Sequence, residues 1–429
     1  MTNRFPARCT VLAVALVLVA AAAHAAGFGI FEQGTRAMGM GMAYTAQADD
    51  PSALFYNAGG LAFMEERAFS IGFTYITSTD ADFEGLAPSP GVGVTAEQET
   101  LSEFPIHGYW IEPISRDWKF GLGLTSPFGL TTEWQDPASF PGRYLSTRAA
   151  LRSLDLNPTI GWQVTPNLGL GFGVIARFSD VELHRYVPAQ IPGTPIVLDG
   201  GRVDLDSGFE PGFGFNVGFL HKYNNSFQWG MSYRSKVKID YSGDARFTQI
   251  PTGIPPLDAA LAAVIPFGQK VPVETEIEFP DMASLGVNVA LSPNTRLEVD
   301  VNWTGWSSFD EVPLDFQGHP LISGALEQNW DDAMNYRLGF LWKLPSGTEW
   351  RFGYIYDETP QPEEEVGPLL PDANRNGFTA GWGRKFSSTS LDLALMYLPF
   401  DERTTRTNAD NFFGTYNQTA WLFGLTLGF

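Results

Sequence analysis

Cysteine is nearly absent: the 429 residues hold one, Cys9. With no second thiol there is no disulfide scaffold, and beyond Cys9 no Cys-ligated metal or thiol nucleophile. Histidine is scarce as well. Of the five, four lie beyond residue 25 (His107, His184, His221 and His319), none in an H-x-x-x-H arrangement, and no G-x-S-x-G elbow occurs. A hydrolase whose Ser/His pair is assembled from distant segments is the enzyme reading that stays open. Basic residues are few, 27 against 48 acidic ones. That balance argues against a nucleic-acid partner, whose phosphates want a cationic footprint. After the first 25 residues no apolar run is long enough to span a bilayer as a helix. Linkers, low-complexity tracts and propeller-type repeats are missing too.

What stands at the N-terminus reads as a secretory signal. Arg4 and Arg8 form a positive n-region, Val11 to Ala23 an apolar stretch, and Ala23-His24-Ala25 a small-x-small cleavage site. Residues 1–25 are the expected signal peptide, and the mature chain starts at Ala26. Cys9 precedes the apolar stretch, so it is not placed like a lipoprotein cysteine. Without Arg4 and Arg8 the balance is 25 basic to 48 acidic residues, a formal charge of −23. Such acidity suits a surface carrying acidic loops.

Aromatics make up 14% of the chain and charged residues 17%, and there are 45 glycines. Those values fit a barrel with an apolar outside and a polar inside, but equally a large secreted β-sandwich or propeller. The spacing of turns separates these readings. Fourteen period-2 segments read as strands: Arg67–Thr77, Ser102–Glu112, Asp117–Pro127, Ala150–Gln163, Leu168–His184, Gly208–Tyr223, Ser226–Asp240, Glu278–Leu291, Asn294–Ser308, Asn329–Leu344, Gly347–Asp357, Arg375–Phe386, Thr389–Phe400 and Gln418–Phe429. Tight turns such as Pro166-Asn167, Asn224-Asn225, Ser292-Pro293, Pro345-Ser346 and Ser387-Ser388 alternate with long segments such as Thr79–Leu101, Arg185–Ser207 and Tyr241–Ile277. Short turns on one side and long loops on the other predict a 14-stranded antiparallel transmembrane β-barrel in a Gram-negative outer membrane, with outer-membrane lipid around it. A soluble sandwich has no reason to sort its loops in this way. Trp118, Trp162, Trp229, Trp342 and Trp350 fall near short turns, where an aromatic girdle would lie. The last strand alternates bulky residues (Trp421, Phe423, Leu425, Leu427) with smaller ones and ends on Phe429, an expected signal to the barrel-assembly machinery.

Asp372-x-Asn374-x-Asn376-Gly377 opens like a calcium loop, but its twelfth position is Gly383 instead of a bidentate Glu, so a polar turn is the better reading. The Gly-x-Gly runs at Gly121, Gly169 and Gly212 lack a strand–loop–helix context and read as strand-face glycines. No cofactor or metal is expected. Pro256 to Phe267 reads as a short helix in a long loop, with Leu257, Ala260, Leu261, Val264 and Ile265 on one apolar face. Rim packing is the plain explanation for that face. At Ser126-Pro127-Phe128-Gly129, proline lacks an N–H and glycine tolerates unusual dihedrals, so the ladder should break at the outer end of the third strand.

The segments Ala26-Gly27-Phe28-Gly29-Ile30-Phe31-Glu32-Gln33-Gly34, Gly39-Met40-Gly41-Met42-Ala43-Tyr44 and Ala48 to Leu61 resemble the N-terminal plug of the FadL family of long-chain fatty-acid and hydrocarbon transporters. Further matches follow in order at Ser126 to Trp134, Tyr233 to Asp240, Trp303 to Phe309, Pro371 to Arg375 and Trp421 to Gly424. The resemblance implies a hatch over residues 26–66, with Asp49, Asp50, Asn57 and Gly59 as its candidate residues, and a barrel over 67–429. Family plugs carry Asn-Pro where Asn57 is followed by Ala58, so the turn must close through the Asn side chain. It further implies a wall kink at Pro127, Phe128 and Gly129 that opens sideways to the membrane. Capture of a hydrophobic small molecule is implied at Leu257, Leu261, Val264 and Ile265, with Arg185 roughly aligned with a carboxylate-binding arginine. A lysine that fatty-acid members carry soon after Trp-Ser-x-Phe is replaced here by Pro313, Leu314 and Asp315. That substitution favours neutral hydrocarbons or aromatics over carboxylates. The implied function is passive outer-membrane uptake of fatty acids or other hydrophobic molecules. The rival is a water-filled porin or an adhesin barrel, which should lack a plug.

Overall fold

A wall that meets lipid on one face and a packed interior on the other needs side chains that alternate in character, with every backbone group paired. The computed structural model describes residues 27–429, and its wall is a closed barrel of fourteen antiparallel strands. The expected signal peptide and Ala26 lie outside the described residues. The first five strands are β1 (Ala68–Gly85), β2 (Ile106–Pro113), β3 (Trp118–Thr125, resuming as Gly129–Glu133), β4 (Arg148–Thr165) and β5 (Leu168–Gln190). Three two-part strands follow: β6 (Val197–Ser207 and Glu210–Asn224), β7 (Phe227–Arg234 and Val237–Gln249) and β8 (Lys270–Phe279 and Met282–Ser292). The rest are β9 (Thr295–Thr304), β10 (Ala333–Lys343), β11 (Thr348–Asp357), β12 (Arg375–Lys385), β13 (Ser390–Pro399) and β14 (Gly414–Gly428). Each pairs with the next, and β14 returns to β1 from Ser70↔Gly428 to Gly85↔Gly414. None of these fourteen wall strands is left as a free edge.

Six short connections, residues 114–117, 166–167, 225–226, 293–294, 344–347 and 386–389, lie where the sequence places tight turns. Beside them Trp118, Trp162, Trp342 and Trp350 face outward, 40–46% exposed. Trp118 and Trp162 are cross-strand partners whose rings stack with centroids 5.4 Å apart. They belong to a belt at the short-turn end and not to a core.

Two long "loops" of the sequence reading are corrected. Arg185–Ser207 and Tyr241–Ile277 largely continue the strands, since β5 runs to Gln190, β6 starts at Val197, β7 runs to Gln249 and β8 starts at Lys270. Beyond the lipid the outside is water, so here the outward positions are charged (Arg202, Asp204, Asp206, Asp244, Arg246, Glu276). The inward ones stay apolar (Val203, Leu205, Tyr241, Ala245, Phe247, Val273) and are buried. Alternation persists, but its average is polar, and it reads as loop. The expected helix at 256–267 is shorter: an α-helix over Pro255–Ala262, followed by a turn.

Residues 27–66 lie inside the barrel. They form two one-turn helices, α1 (Thr35–Met38) and α2 (Ala53–Tyr56), and a 3-10 turn over Ala58–Phe63. Met38, Met40, Tyr44, Leu54 and Leu61 are fully buried and form one core with inward wall residues such as Tyr109, Leu341, Ile355 and Leu422. The segment approaches the wall so closely that glycine is required on either side. A carbon added at Gly339 of β10 would stand 2.7 Å from Met40 O, and one added at Gly59 would stand 2.7 Å from Leu220 N of β6.

Candidate substrate cavity and wall opening

The third strand loses its partner where proline chemistry says it must. Pairing of β3 with β4 runs to Thr125↔Asp155 and resumes at Gly129↔Arg152, so three residues of β3 face two of β4. On the other side, pairing of β2 with β3 ends at Gly108↔Leu124. The backbone groups freed there are taken up from inside. Ile30 N donates to Pro127 O (2.8 Å), Gly129 N donates to Phe28 O (3.0 Å), and Gly29 bridges Phe128. The Gln33 side chain closes a two-point clamp on Ser126, donating to its carbonyl (2.8 Å) and accepting from its amide (2.9 Å). Ser153 Oγ accepts from Phe128 N (2.9 Å) and donates to Phe128 O (2.7 Å). Below the Phe128 ring lies the Arg177 guanidinium, 4.5 Å from its centroid, held by two bonds to Asp155 of 2.7 and 2.8 Å.

Phe28 fills an aromatic box. Its ring centroid lies 4.6 Å from Trp306, 5.1 Å from Phe309, 5.8 Å from Trp330 and 6.0 Å from Phe128. Gly27 has φ +82°, and an added carbon there would stand 2.6 Å from the Trp306 ring, so no side chain fits. Asp372, read from sequence as a polar turn on an outer loop, is buried. It accepts from Gly27 N (3.0 Å), and Arg375 bonds both Asp372 and Gly27 O (2.6 Å each).

The body of the segment is anchored by carboxylates that the sequence reading did not single out. Asp300 of β9 accepts from Tyr44 N and Thr45 N (2.8 Å each), and Glu298 accepts from Ala46 N (2.6 Å) and Gln47 N (2.9 Å). Alternation made both inward-facing, but nothing local says that they meet backbone amides of the N-terminal segment. Asn57 accepts from Gly59 N (2.9 Å) and donates to Thr45 O (2.7 Å) and Phe219 O (3.0 Å). Its side chain closes the turn without a following proline. Asp49 pairs with Arg36 and accepts from Tyr44 Oη, while Asp50 accepts from Ser52 N ahead of α2.

A cavity of about 310 Å³ lies between the segment and the wall break. Phe28–Glu32 form one side; Leu101, Glu103, Phe104 and Pro105 form one rim of the break and Ser126 with Phe128–Thr132 the other. Ile76, Ile355, Met396, Leu398 and Leu422 make it largely apolar. At its polar corner Arg337, 3% exposed, lies 4.2 Å from the Phe31 ring, with Nε and Nη2 unpartnered, and Asp357 Oδ1 is unpartnered too. A second cavity of about 110 Å³, almost wholly apolar, lies among Val181, Leu183, Leu205, Val273, Ile277 and Leu314. Phe28, Leu130, Leu151 and Leu370 line both.

The sequence-derived capture residues lie elsewhere. Arg185 lines neither cavity; its charge acts on Asp410 in the outer loop before β14, whose carboxyl is pushed up by burial against that opposing cation. Leu261 and Ile265 pack on the rim cluster of Val203, Leu205, Phe247 and Val271. Leu257 is half-buried and Val264 is 46% exposed.

A membrane barrel whose lumen is filled by its own N-terminal segment, with an apolar cavity against a break in its wall, defines a plugged transport barrel. The chain belongs to the outer membrane protein transport protein family (OMPP1/FadL/TodX), whose model matches residues 16–429. It is 25% identical to the long-chain fatty acid transport protein of Escherichia coli O6:H1, over 97% of both chains. It is 24% identical to outer membrane protein P1 of Haemophilus influenzae, over 91% of this chain and 89% of that one. Among solved structures, a Pseudomonas aeruginosa FadL homologue superposes with a TM-score of 0.80 at 21% identity, covering 94% of this chain and 99% of its own. The Ralstonia pickettii toluene transporter TbuX gives 0.67 at 18%, covering 92% and 99%. At such identities the structures speak to fold.

Proposed function

We propose that this protein is a passive outer-membrane uptake channel for long-chain fatty acids or other hydrophobic molecules, with residues 26–66 as its hatch and the break at Pro127-Phe128-Gly129 as a lateral exit into the membrane. The observation that carries this reading is the 310 Å³ cavity, which has the hatch on one side and both rims of the wall break on the other. Substrate is caught at the outer loops, where Leu257 and Val264 remain free of the rim packing that occupies Leu261 and Ile265. It passes the two cavities when Phe28 shifts, and leaves sideways without crossing the polar periplasm. A water-filled porin fits poorly, because the lumen is packed with buried side chains.

Head-group chemistry favours an acid. Unpartnered donors on Arg337 beside an unpartnered acceptor on Asp357 match a carboxylic acid, which both accepts and donates. The relatives named as long-chain fatty acid transport proteins agree. This outweighs the missing lysine at Pro313–Asp315, since the head group would be met at Arg337. Solvent extraction and mass spectrometry of the purified protein should return fatty acids, and Arg337→Leu should lower their yield. Recovery of only neutral hydrocarbons from both proteins would turn the reading to aromatic or aliphatic hydrocarbons.

A further inference from the structure

The break between β2 and β3 is a window with two firm rims and little across it. One rim, Ser102–Glu103, is held to β1 at Thr77↔Ser102 and Ile76↔Glu103, and Thr74 N donates to Pro105 O (3.0 Å). The other, Gly129–Glu133, is held to β4 along its length. Main-chain contact between the two sides returns only above, where Glu99 N donates to Glu133 O (2.8 Å) and Gln98 bridges Trp134. Two side-chain bonds cross the window itself. Thr131 Oγ1 donates to Glu103 Oε1 (2.9 Å), and at the lower edge Ser126 Oγ donates to Ile106 O at a long 3.3 Å.

Between those bonds stands Phe104. It lines the cavity and is also 56% exposed. Its ring stacks on Tyr75 (centroids 4.7 Å apart), which in turn stacks on Phe423 of β14 (6.2 Å). Phe104 therefore stands between the cavity and the outer face of the wall, and its ring is held by aromatic contacts with Tyr75 and Phe73 (6.1 Å), on a face where lipid can replace them.

We propose that Phe104 and the Glu103–Thr131 hydrogen bond form the gate of this window, Phe104 as its leaf and the hydrogen bond as its bolt. The inference rests on the lateral-exit reading and adds which side chains decide what fits. A slim alkyl chain passes below the bolt once the Phe104 ring rotates, and a wide, rigid group needs the bolt broken as well. The bolt is one half-exposed hydrogen bond between side chains, so its loss is a small free-energy change and shows as a change in selectivity, with assembly untouched.

The test compares uptake of a labelled straight-chain fatty acid with a pyrene-labelled one, in cells carrying equal surface amounts of each variant with native heat-modifiable gel mobility. Thr131→Val and Glu103→Leu should raise pyrene-acid uptake relative to the straight chain by about fivefold, the worth of one such bond. Glu103→Gln still accepts from Thr131 and should behave as wild type. Phe104→Ala should raise both rates. In a Cys9→Ala background, bridging Glu103→Cys and Thr131→Cys with a short cleavable dithiol reagent should stop pyrene-acid uptake, and reduction should restore it. If bridging changes nothing while closure of the wall at Pro127 and Gly129 abolishes uptake, the exit is lateral but this gate is wrong. If closing the wall also changes nothing, the lateral reading falls and the gate with it.

Discussion

Seating of the proposed hatch rests on close backbone approach, and Gly59→Val should unseat it. A carbon added at Gly59 would stand 2.7 Å from Leu220 N and 2.8 Å from the Phe219 carbonyl carbon. Neither atom yields easily, because this part of β6 is paired on both sides, to Leu170 and to Met231 at Phe219. Relieving the first carbon to ordinary van der Waals contact needs a lift of about 0.7 Å, and the two γ-carbons of valine need more. Overpacking of this kind costs about 1–3 kcal/mol, which lowers the seated-to-unseated ratio by about five- to 150-fold and makes openings that much more frequent. The strand ladder does not depend on Gly59, so the barrel should assemble. Gly339→Val, aimed at Met40 from the wall side, should do the same. Gly108→Val is the control, because its added carbon meets only Ser70 O, at 3.7 Å. The assay is conductance in planar bilayers, where the first two variants should leak and the control should not. Folded Gly59→Val and Gly339→Val proteins that conduct as little as wild type would refute the claim that this segment seals the lumen.

Deleting residues 26–66 should leave a folded but ion-leaky barrel, since the fourteen strands pair with one another without them; unchanged conductance would reject the hatch assignment. Phe429 completes the β14–β1 seam, its amide donating to Phe69 O (2.8 Å) and its carbonyl accepting from Phe69 N (3.1 Å), with its ring 58% exposed. Replacing Phe429 with Ser should lower the amount of assembled protein without altering the seam's backbone bonds, read as loss of the heat-modifiable band. Normal surface levels would argue against a role for the terminal ring in assembly.

Strand number, the short-turn side and the ladder break were legible because each follows from local chemistry. Alternating aromatics mark a lipid-facing wall, and Pro127 removes a donor wherever it stands. Strand ends outside the lipid were not legible, since Asp204, Asp244, Arg246 and Glu276 put charge where the membrane-level pattern puts Phe or Leu. That residues 27–66 pack against the inward wall could be read only by resemblance. The segment's partners Asp300, Glu298 and Arg337 lie some 250 residues or more away in sequence from the amides and ring that they meet. No spacing rule links Phe31 to Arg337, or Gln33 to Ser126. The apolar face around the Pro255–Ala262 helix was visible in the sequence with two uses open, rim packing or capture, and Leu261 and Ile265 take the first.

The most direct test of the account is uptake of a labelled fatty acid by cells carrying Pro127→Val with Gly129→Val, beside equal amounts of wild type. A β-branched pair restores a donor at 127 and favours extended pairing with β2. At 129 the added carbon comes within 2.8 Å only of the Ile30 Cδ1 tip, a movable side-chain end. With the wall closed and assembly intact, uptake should fall to the level of cells lacking the protein, while binding of the fatty acid to purified protein persists. Uptake equal to wild type in a variant shown to have a closed wall would contradict lateral exit and leave a periplasmic route.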